Sequence, residues 1–113
     1  MHDGPVDNRD NDALLAAARS STDAFAAFYD RNLPKVIAYF RRRVTQPEQA
    51  FDLAAETFTR ALTSVESFDP SRGPAMAWVL RIARNLLIDA ERRRAVADRA
   101  RRELGLSAVE LTD

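Results

Sequence analysis

Asp52 and Glu56 stand four residues apart, a spacing that puts two carboxylates on one face of a helix. Such a pair can work as acid and base, or supply half of a divalent-metal site. Nothing nearby completes either arrangement. The chain has no cysteine, and its one histidine, His2, lies in a polar N-terminal stretch. It has no glycine-rich phosphate cradle, no nucleophile elbow and no Ser/His/Asp set. No catalytic residue, metal site or cofactor is therefore expected, and the pair reads as a solvated acidic face or a protein-docking face. A second group has more to offer. The turn-rich run Asp69-Pro70-Ser71-Arg72-Gly73-Pro74 opens into a helical stretch bearing Trp78, Arg81, Arg84 and Asn85 and closing on Arg92, Arg93 and Arg94. A loop with polar donors, a nearby aromatic ring and an increasingly basic helix suits single-stranded or melted nucleic acid. Bases can be lifted into the loop while arginines hold the phosphates.

Each of these features also has a plainer reading. Trp78 keeps helical spacing with Ile82 and Leu86, as a core tryptophan would. Phe68, at the loop entrance, fits either a core or a stacking role. Arg41, Arg42 and Arg43 close a helical segment, where cations are favoured by the helix dipole by about 0.3–1 kcal/mol each when exposed. Tyr29 and Tyr39 fit the edge of a core.

Composition narrows the class. A chain of 113 residues is one domain with a modest core. The 17 basic and 17 acidic residues cancel, but they are unevenly placed. Asp3, Asp7, Asp10, Asp12, Asp23 and Asp30 dominate the first thirty residues, and arginines dominate the segment from Arg81 to Arg102. A polarised distribution points to a polyanion-binding face more than net charge does. Lys35 is the one lysine. Arginine gives bidentate phosphate contacts, although a genome rich in G and C produces the same bias. No apolar run approaches a membrane span and no signal-peptide core is present, so the expected setting is cytoplasmic.

The elements that must position these residues follow from periodicity. Residues 1–10 read as a flexible arm. Asp12 is expected to cap a short helix through about Arg19, and Ser20-Ser21-Thr22 to break it and cap the next. That second helix runs from about Asp23 to Thr45, with Pro34 bending or restarting it. Pro47 opens a third, to about Val65, with Phe51, Leu53, Ala54, Phe58, Ala61, Leu62 and Val65 as its apolar positions. Pro74 begins a fourth, whose inner face is Trp78, Val79, Ile82, Ala83, Leu86, Leu87 and Ala90. Gly105 is a helix stop, and residues 105–113 read as a linker-like tail. With no alternating strand pattern, the expected fold is all-α: a compact bundle of three to four main helices over residues 11–104, with a base-capturing loop between the last two.

Three blocks, in order, resemble the second conserved domain (region 2) of bacterial RNA polymerase sigma factors of the extracytoplasmic-function class. Residues 24–31, AFAAFYDR, are similar to the family's AFxxLYDRY. Residues 52–58, DLAAETF, followed by Arg60-Ala61-Leu62, are similar to DLxQETFxRAW. Phe68-Asp69-Pro70 through Gly73, then Ala77 to Asn85, resemble FDPxRGxFxAWLxRIARN. Together the blocks span roughly residues 12–94.

The resemblance implies a protein without enzymatic activity that binds core RNA polymerase and promoter DNA. Asp52, Leu53 and Glu56 would dock on the clamp helices of the β′ subunit, with Phe58 anchoring that helix to the bundle. Ser67, Phe68, Asp69, Arg72, Gly73 and Ala75, with Asn85 behind them, would form a pocket for a base flipped from the non-template strand of the −10 element. Arg81, Arg84, Arg92, Arg93 and Arg94 would hold the DNA backbone. Three positions depart from the family pattern. Ala55 replaces a glutamine, Phe51 replaces an acid, and Ala75 replaces an aromatic three residues before the tryptophan. A changed docking face favours the alternative of a helical interaction module whose main partner is a regulator such as an anti-sigma factor. No helix-turn-helix for the −35 element fits after Arg94, so the expectation is a domain cut from a longer factor, with a naturally short, specialised relative as the alternative.

Overall fold

The computed structural model describes residues 8–105. It contains four α-helices: α1 (Asn8–Ala17), α2 (Thr22–Arg41), α3 (Pro47–Thr63) and α4 (Ala75–Glu103). Two single 3-10 turns, Val65–Ser67 and Pro70–Arg72, lie between α3 and α4. Among the described residues there is no strand. The all-α bundle is as the periodicity expects.

Local chemistry accounts for most boundaries. Ser21 has extended backbone, and its hydroxyl accepts a hydrogen bond from the Ala24 amide at 3.2 Å, which caps α2. Pro47 occupies the first turn of α3, where its missing N–H costs nothing. Helix α2 continues through Pro34. Pro34 and Asp30, whose carbonyl loses its partner there, are both exposed, so water can replace the lost bond. At the far end of α4, Gly105 adopts φ +75° and its amide donates to the Arg102 carbonyl at 3.2 Å, the left-handed stop that glycine makes cheaply.

Some boundaries differ from expectation. Helix α1 begins at Asn8 rather than at Asp12, so Asp12 lies inside it and residues 8–10 are helical. The rest of the expected arm lies outside the described residues, as does the expected tail beyond Gly105. Helix α2 stops at Arg41, short of Thr45, and Pro74 caps α4 rather than beginning it.

The core forms where α2, α3 and α4 meet. Phe28, Val36 and Phe40 of α2 are fully buried. Phe58 of α3 receives the rings of Phe28 and Tyr29 edge-on, at 6.3 Å and 4.9 Å between centroids. The buried stripe of α3 is Ala50, Leu53, Ala54, Thr57, Phe58 and Ala61. Phe51 and Leu62, expected inside, are 49% and 46% exposed, because the 3.6-residue period carries both off that stripe. Thr57 takes a core position by donating its hydroxyl to the Leu53 carbonyl at 2.7 Å. Helix α1 joins through a buried polar tie: Asn32 Nδ2 donates to Asn11 Oδ1 and to the Phe28 carbonyl, each at 2.9 Å. Helix α4 buries Ala75, Val79, Ala83, Leu86 and Leu87. Trp78, Ile82 and Ala90, expected on its inner face, are only partly buried. Past Ala90 no residue of α4 is buried, so its arginine-rich half runs on beyond the core.

Candidate nucleic-acid interface

The segment between α3 and α4 is anchored at its start and open along its length. Val65 and Phe68 are buried, at 6% and 1% exposure, while the side chains of residues 69–74 are exposed or half-exposed. Within it, Asp69 Oδ1 accepts hydrogen bonds from the Ser71 amide at 2.9 Å and the Ser71 hydroxyl at 2.7 Å. This is an Asx turn, and it caps the Pro70–Arg72 turn. Gly73 follows with φ +150° and ψ 172°, a conformation that side-chain-bearing residues rarely adopt.

Those Ser71 hydrogen bonds, first from the hydroxyl and then from the amide, hold the Asp69 carboxyl below the ordinary aspartate range. A depressed carboxyl pKa adds stability that is present above the unfolded value and lost as pH falls through the folded one. The turn is therefore expected to stay intact at neutral pH and loosen only in strong acid. Carboxyl NMR titration should give Asp69 a midpoint below that in the denatured chain, and Ser71→Ala should move it up. An unmoved midpoint would show that the hydroxyl contributes nothing.

Where the loop meets α4 there is a cleft of about 440 Å³. Trp78 gives it an apolar wall, backed by the buried Phe68, whose ring packs edge to face against it at 5.6 Å and 61°. Ser67, Asp69 and Gly73 line the loop side, and Arg72 and Arg81 bring guanidinium groups to it. Ala75 is fully buried and belongs to the core rather than to the lining. Asn85 is not in the cleft either. It lines a second depression, of about 460 Å³, with Arg60, Thr63, Ser64 and Ile82.

Helical geometry relates the two depressions. At 100° per residue, Trp78, Arg81, Asn85 and Arg92 share one side of α4, and the last three are exposed. Arg84 is exposed and flanks that side. Arg93, also exposed, flanks it on the other edge, and Arg94 turns away, its Nη2 donating to Gln49 Oε1 of α3 at 2.9 Å. The expected arginine row is thus split, with Arg81 and Arg92 on the cleft side and Arg94 engaged with α3.

The expected docking residues are split as well. Asp52 and Glu56 are exposed on α3, and Glu56 pairs with Arg60 at 3.3 Å. Leu53 is 8% exposed and packs in the core, because it falls on the buried stripe of an amphipathic helix. The surface beside the acids consists instead of Phe51, Ala55 and Thr59, all exposed. Among the described residues no His, Asp or Glu cluster is arranged to hold a metal ion, and no helix is long and apolar enough to cross a membrane.

Two contributors were missed from the sequence. The Ala75 amide donates to Asp12 Oδ1 at 2.6 Å. Arg19 Nη1 donates to the Phe68 carbonyl at 3.3 Å. Both contacts join residues far apart in the chain, and local pattern carries no signal for them.

Comparison with known proteins agrees with this architecture. The family Sigma-70 region 2 matches residues 28–97. The chain is 30% identical over 107 residues to the ECF RNA polymerase sigma factor SigK of Mycobacterium sp. (strain KMS), covering 94% of this chain and 55% of that protein. It is 33% identical over 89 residues to the ECF RNA polymerase sigma factor RpoE of Cereibacter sphaeroides, covering 77% of this chain and 49% of that protein. Against the ECF RNA polymerase sigma factor SigW of Bacillus subtilis it is 36% identical over 76 residues, 67% of this chain and 40% of that protein. The chain spans about half the length of the curated relatives it matches. A match over most of the helical bundle, cleft and basic helix included, places this chain in the Sigma-70 region 2 family, as an extracytoplasmic-function sigma factor region 2 domain.

Proposed function

We propose that this domain recognises and helps melt the −10 element of promoters while bound to core RNA polymerase, and that it carries out no covalent chemistry. The observation that carries the reading is the cleft where the loop meets α4, with Trp78 as its apolar wall and Arg72 and Arg81 beside it. An apolar wall with polar loop groups opposite fits a base lifted from a single strand, and unstacking that base costs about a few kcal/mol. Contacts made in the cleft and along the backbone offset this. The strand then runs along the side of α4 that bears Arg81, Asn85 and Arg92, and Arg84 and Arg93 reach phosphates from the flanks. Ser67, Phe68, Asp69, Arg72 and Gly73 act at the cleft, Ala75 supports it from below, and Asn85 contacts a neighbouring nucleotide in its own depression. The test is titration of single-stranded −10 oligonucleotides with and without core polymerase. Equal affinity for −10 and scrambled sequences in the complex would refute the reading.

Docking on the polymerase is assigned to the exposed face of α3, with Asp52 and Glu56 meeting a basic clamp surface. Leu53 acts there only by holding the helix in place. Glu56→Lys is expected to weaken core-polymerase binding strongly, since like charges set against each other cost several kcal/mol. It should leave the fold intact, because the surface pair with Arg60 is worth only about 0.3–0.5 kcal/mol. Unchanged affinity in a pull-down, with normal helicity by circular dichroism, would remove this assignment.

The exposure of Phe51 beside these acids favours a second reading, in which the same face binds a regulator such as an anti-sigma factor. If Phe51→Ser leaves polymerase binding untouched and abolishes capture by such a regulator, the second reading stands for this face.

A further inference from the structure

We propose that α1 and the turn that follows it brace the base-capturing loop, with Asp12 holding its exit and Arg19 its entrance, so that these two residues set the geometry of the cleft at Trp78. The inference rests on the function proposed above for that cleft.

Among the described residues the loop has little else to hold it. Its ends are buried at Phe68 and Ala75, but none of the side chains between them is. Its own hydrogen bonds, from Ser71 to Asp69, are local and shape one turn without tying it to the bundle. Among the described residues, two side-chain ties reach the loop from outside, one from α1 and one from the turn that follows α1. Asp12 Oδ1 accepts from the Ala75 amide at 2.6 Å. Arg19 Nη1 donates to the Phe68 carbonyl at 3.3 Å, while its Nε donates to the Ala16 carbonyl at 3.1 Å. That second bond fixes the guanidinium to the end of α1, so the arginine spans from helix to loop. Asp12 lies within α1, and Arg19 lies in the turn just past its end at Ala17. Leu15 and Ala18 between them are buried in the core.

Each contact is also placed where charge favours it. Ala75 is the first residue of α4, and Pro74 at its cap offers no side-chain acceptor. Asp12 supplies from another helix the acceptor that a capping residue ordinarily supplies from its own, and a carboxylate gains further at a helix N-terminus. Trp78 lies one turn into α4, its amide bonded to the Pro74 carbonyl at 3.2 Å. Fixing Ala75 therefore fixes the turn that carries Trp78, and fixing the Phe68 carbonyl fixes the residue whose ring packs against Trp78. Asp12 and Arg19 touch no base in this arrangement, so they are positioning residues.

The test uses Asp12→Ala and Asp12→Asn, with Asp10→Ala, at an exposed site on α1, as control. Three quantities are read: hydrogen exchange at the Ala75 amide, emission of Trp78, the chain's one tryptophan, and preference among −10 oligonucleotides with core polymerase present. In Asp12→Ala the Ala75 amide should exchange about tenfold faster, the scale of one lost hydrogen bond. Trp78 emission should shift red, and sequence preference should fall severalfold. Asp12→Asn keeps an acceptor oxygen and should restore most of the exchange protection and emission. Should Asp12→Ala fail to fold, Asp12→Glu, whose carboxylate is displaced by one methylene, is read in the same three ways. The proposal is overturned if exchange and emission stay at wild-type values, or if every oligonucleotide weakens equally with preference intact. If the wild-type complex shows no −10 preference at all, the functional reading fails instead, while exchange and emission still decide the brace.

Discussion

Phe68→Ala is expected to destabilise the domain by about 3–5 kcal/mol, the usual cost of emptying a buried phenylalanine site. Phe68 is 1% exposed and among the largest fully buried side chains. It packs edge-on against Trp78, and its backbone carbonyl is the acceptor for Arg19. A domain of this size has about 5–15 kcal/mol in total, so the variant should lose a large share of its resistance to urea. Because the same ring backs Trp78 in the cleft, what folded protein remains should also have a wetter, red-shifted Trp78. Phe51→Ala is the matched control: that ring is 49% exposed and its removal should change stability by less than about 0.5 kcal/mol. Urea midpoints for the two variants decide the matter. A Phe68→Ala midpoint close to wild type would mean that the loop is not seated by this ring.

The contrast between those two phenylalanines also marks how far the sequence could be read. Helices α2, α3 and α4 were legible because each has a strong signal at its start: Ser21 before α2, Pro47 in α3, and Pro74 before α4. Side-chain chemistry at these positions acts on the nearest few residues, and sequence holds that information directly. The loop between α3 and α4 was legible for the same reason, through Asp69-Pro70 and Gly73. Which apolar residue faces inward is less local. Phe51 and Leu62 look like core positions in a list of hydrophobic residues, yet both fall outside the buried stripe of α3. Thr57 and Asn32 look like surface positions and are fully buried. Thr57 enters the core because the Leu53 carbonyl one turn back accepts from its hydroxyl, and Asn32 because its amide donates to the Phe28 carbonyl and to Asn11 of another helix, although among the described residues Asn32 Oδ1 has no partner. The choice depends on how neighbouring helices cross, which no single stretch encodes.

The same limit shapes the site. Motif resemblance and loop chemistry point to the segment from Ser67 to Ala75, of which Ser67, Phe68, Asp69, Arg72, Gly73 and Pro74 lie around the cleft while Ala75 is in the core. Asn85 and the arginines follow them in the chain at helical spacing, but position along a helix does not say which depression a side chain enters. Asn85 enters a different one. Asp12 was the sharpest misreading. Its type suits a helix cap, and it does cap a helix end, but that of α4 rather than α1. The capping chemistry was visible in the residue, and the partner was 63 positions away.

The largest functional effect is expected at Trp78. It is only partly buried, so Trp78→Ala should cost the fold less than a core aromatic would. It forms the cleft wall, however, and loss of an aromatic stacking surface weakens single-strand binding by about 1–3 kcal/mol per base. Binding of −10 oligonucleotides in the polymerase complex should therefore fall by roughly ten- to a hundredfold, with the loss concentrated on the nucleotide held in the cleft. Arginine changes should behave differently, because phosphate contacts position a strand without reading it. Arg92→Gln is expected to weaken all oligonucleotides alike and to lower the salt slope by about 0.7. Arg94→Gln should do less, since that guanidinium is turned toward Gln49. Asn85→Ala should flatten discrimination at one position, separate from the position that responds to Trp78, because the two side chains line different depressions. The measurement is a titration of oligonucleotides varied at each −10 position, at two salt concentrations. If Trp78→Ala lowers every affinity equally while Arg92→Gln changes base preference, reading and positioning are assigned to the wrong residues. If Trp78 and Asn85 respond to the same nucleotide, the strand does not run along α4 from one depression to the other, and the path proposed for it is wrong.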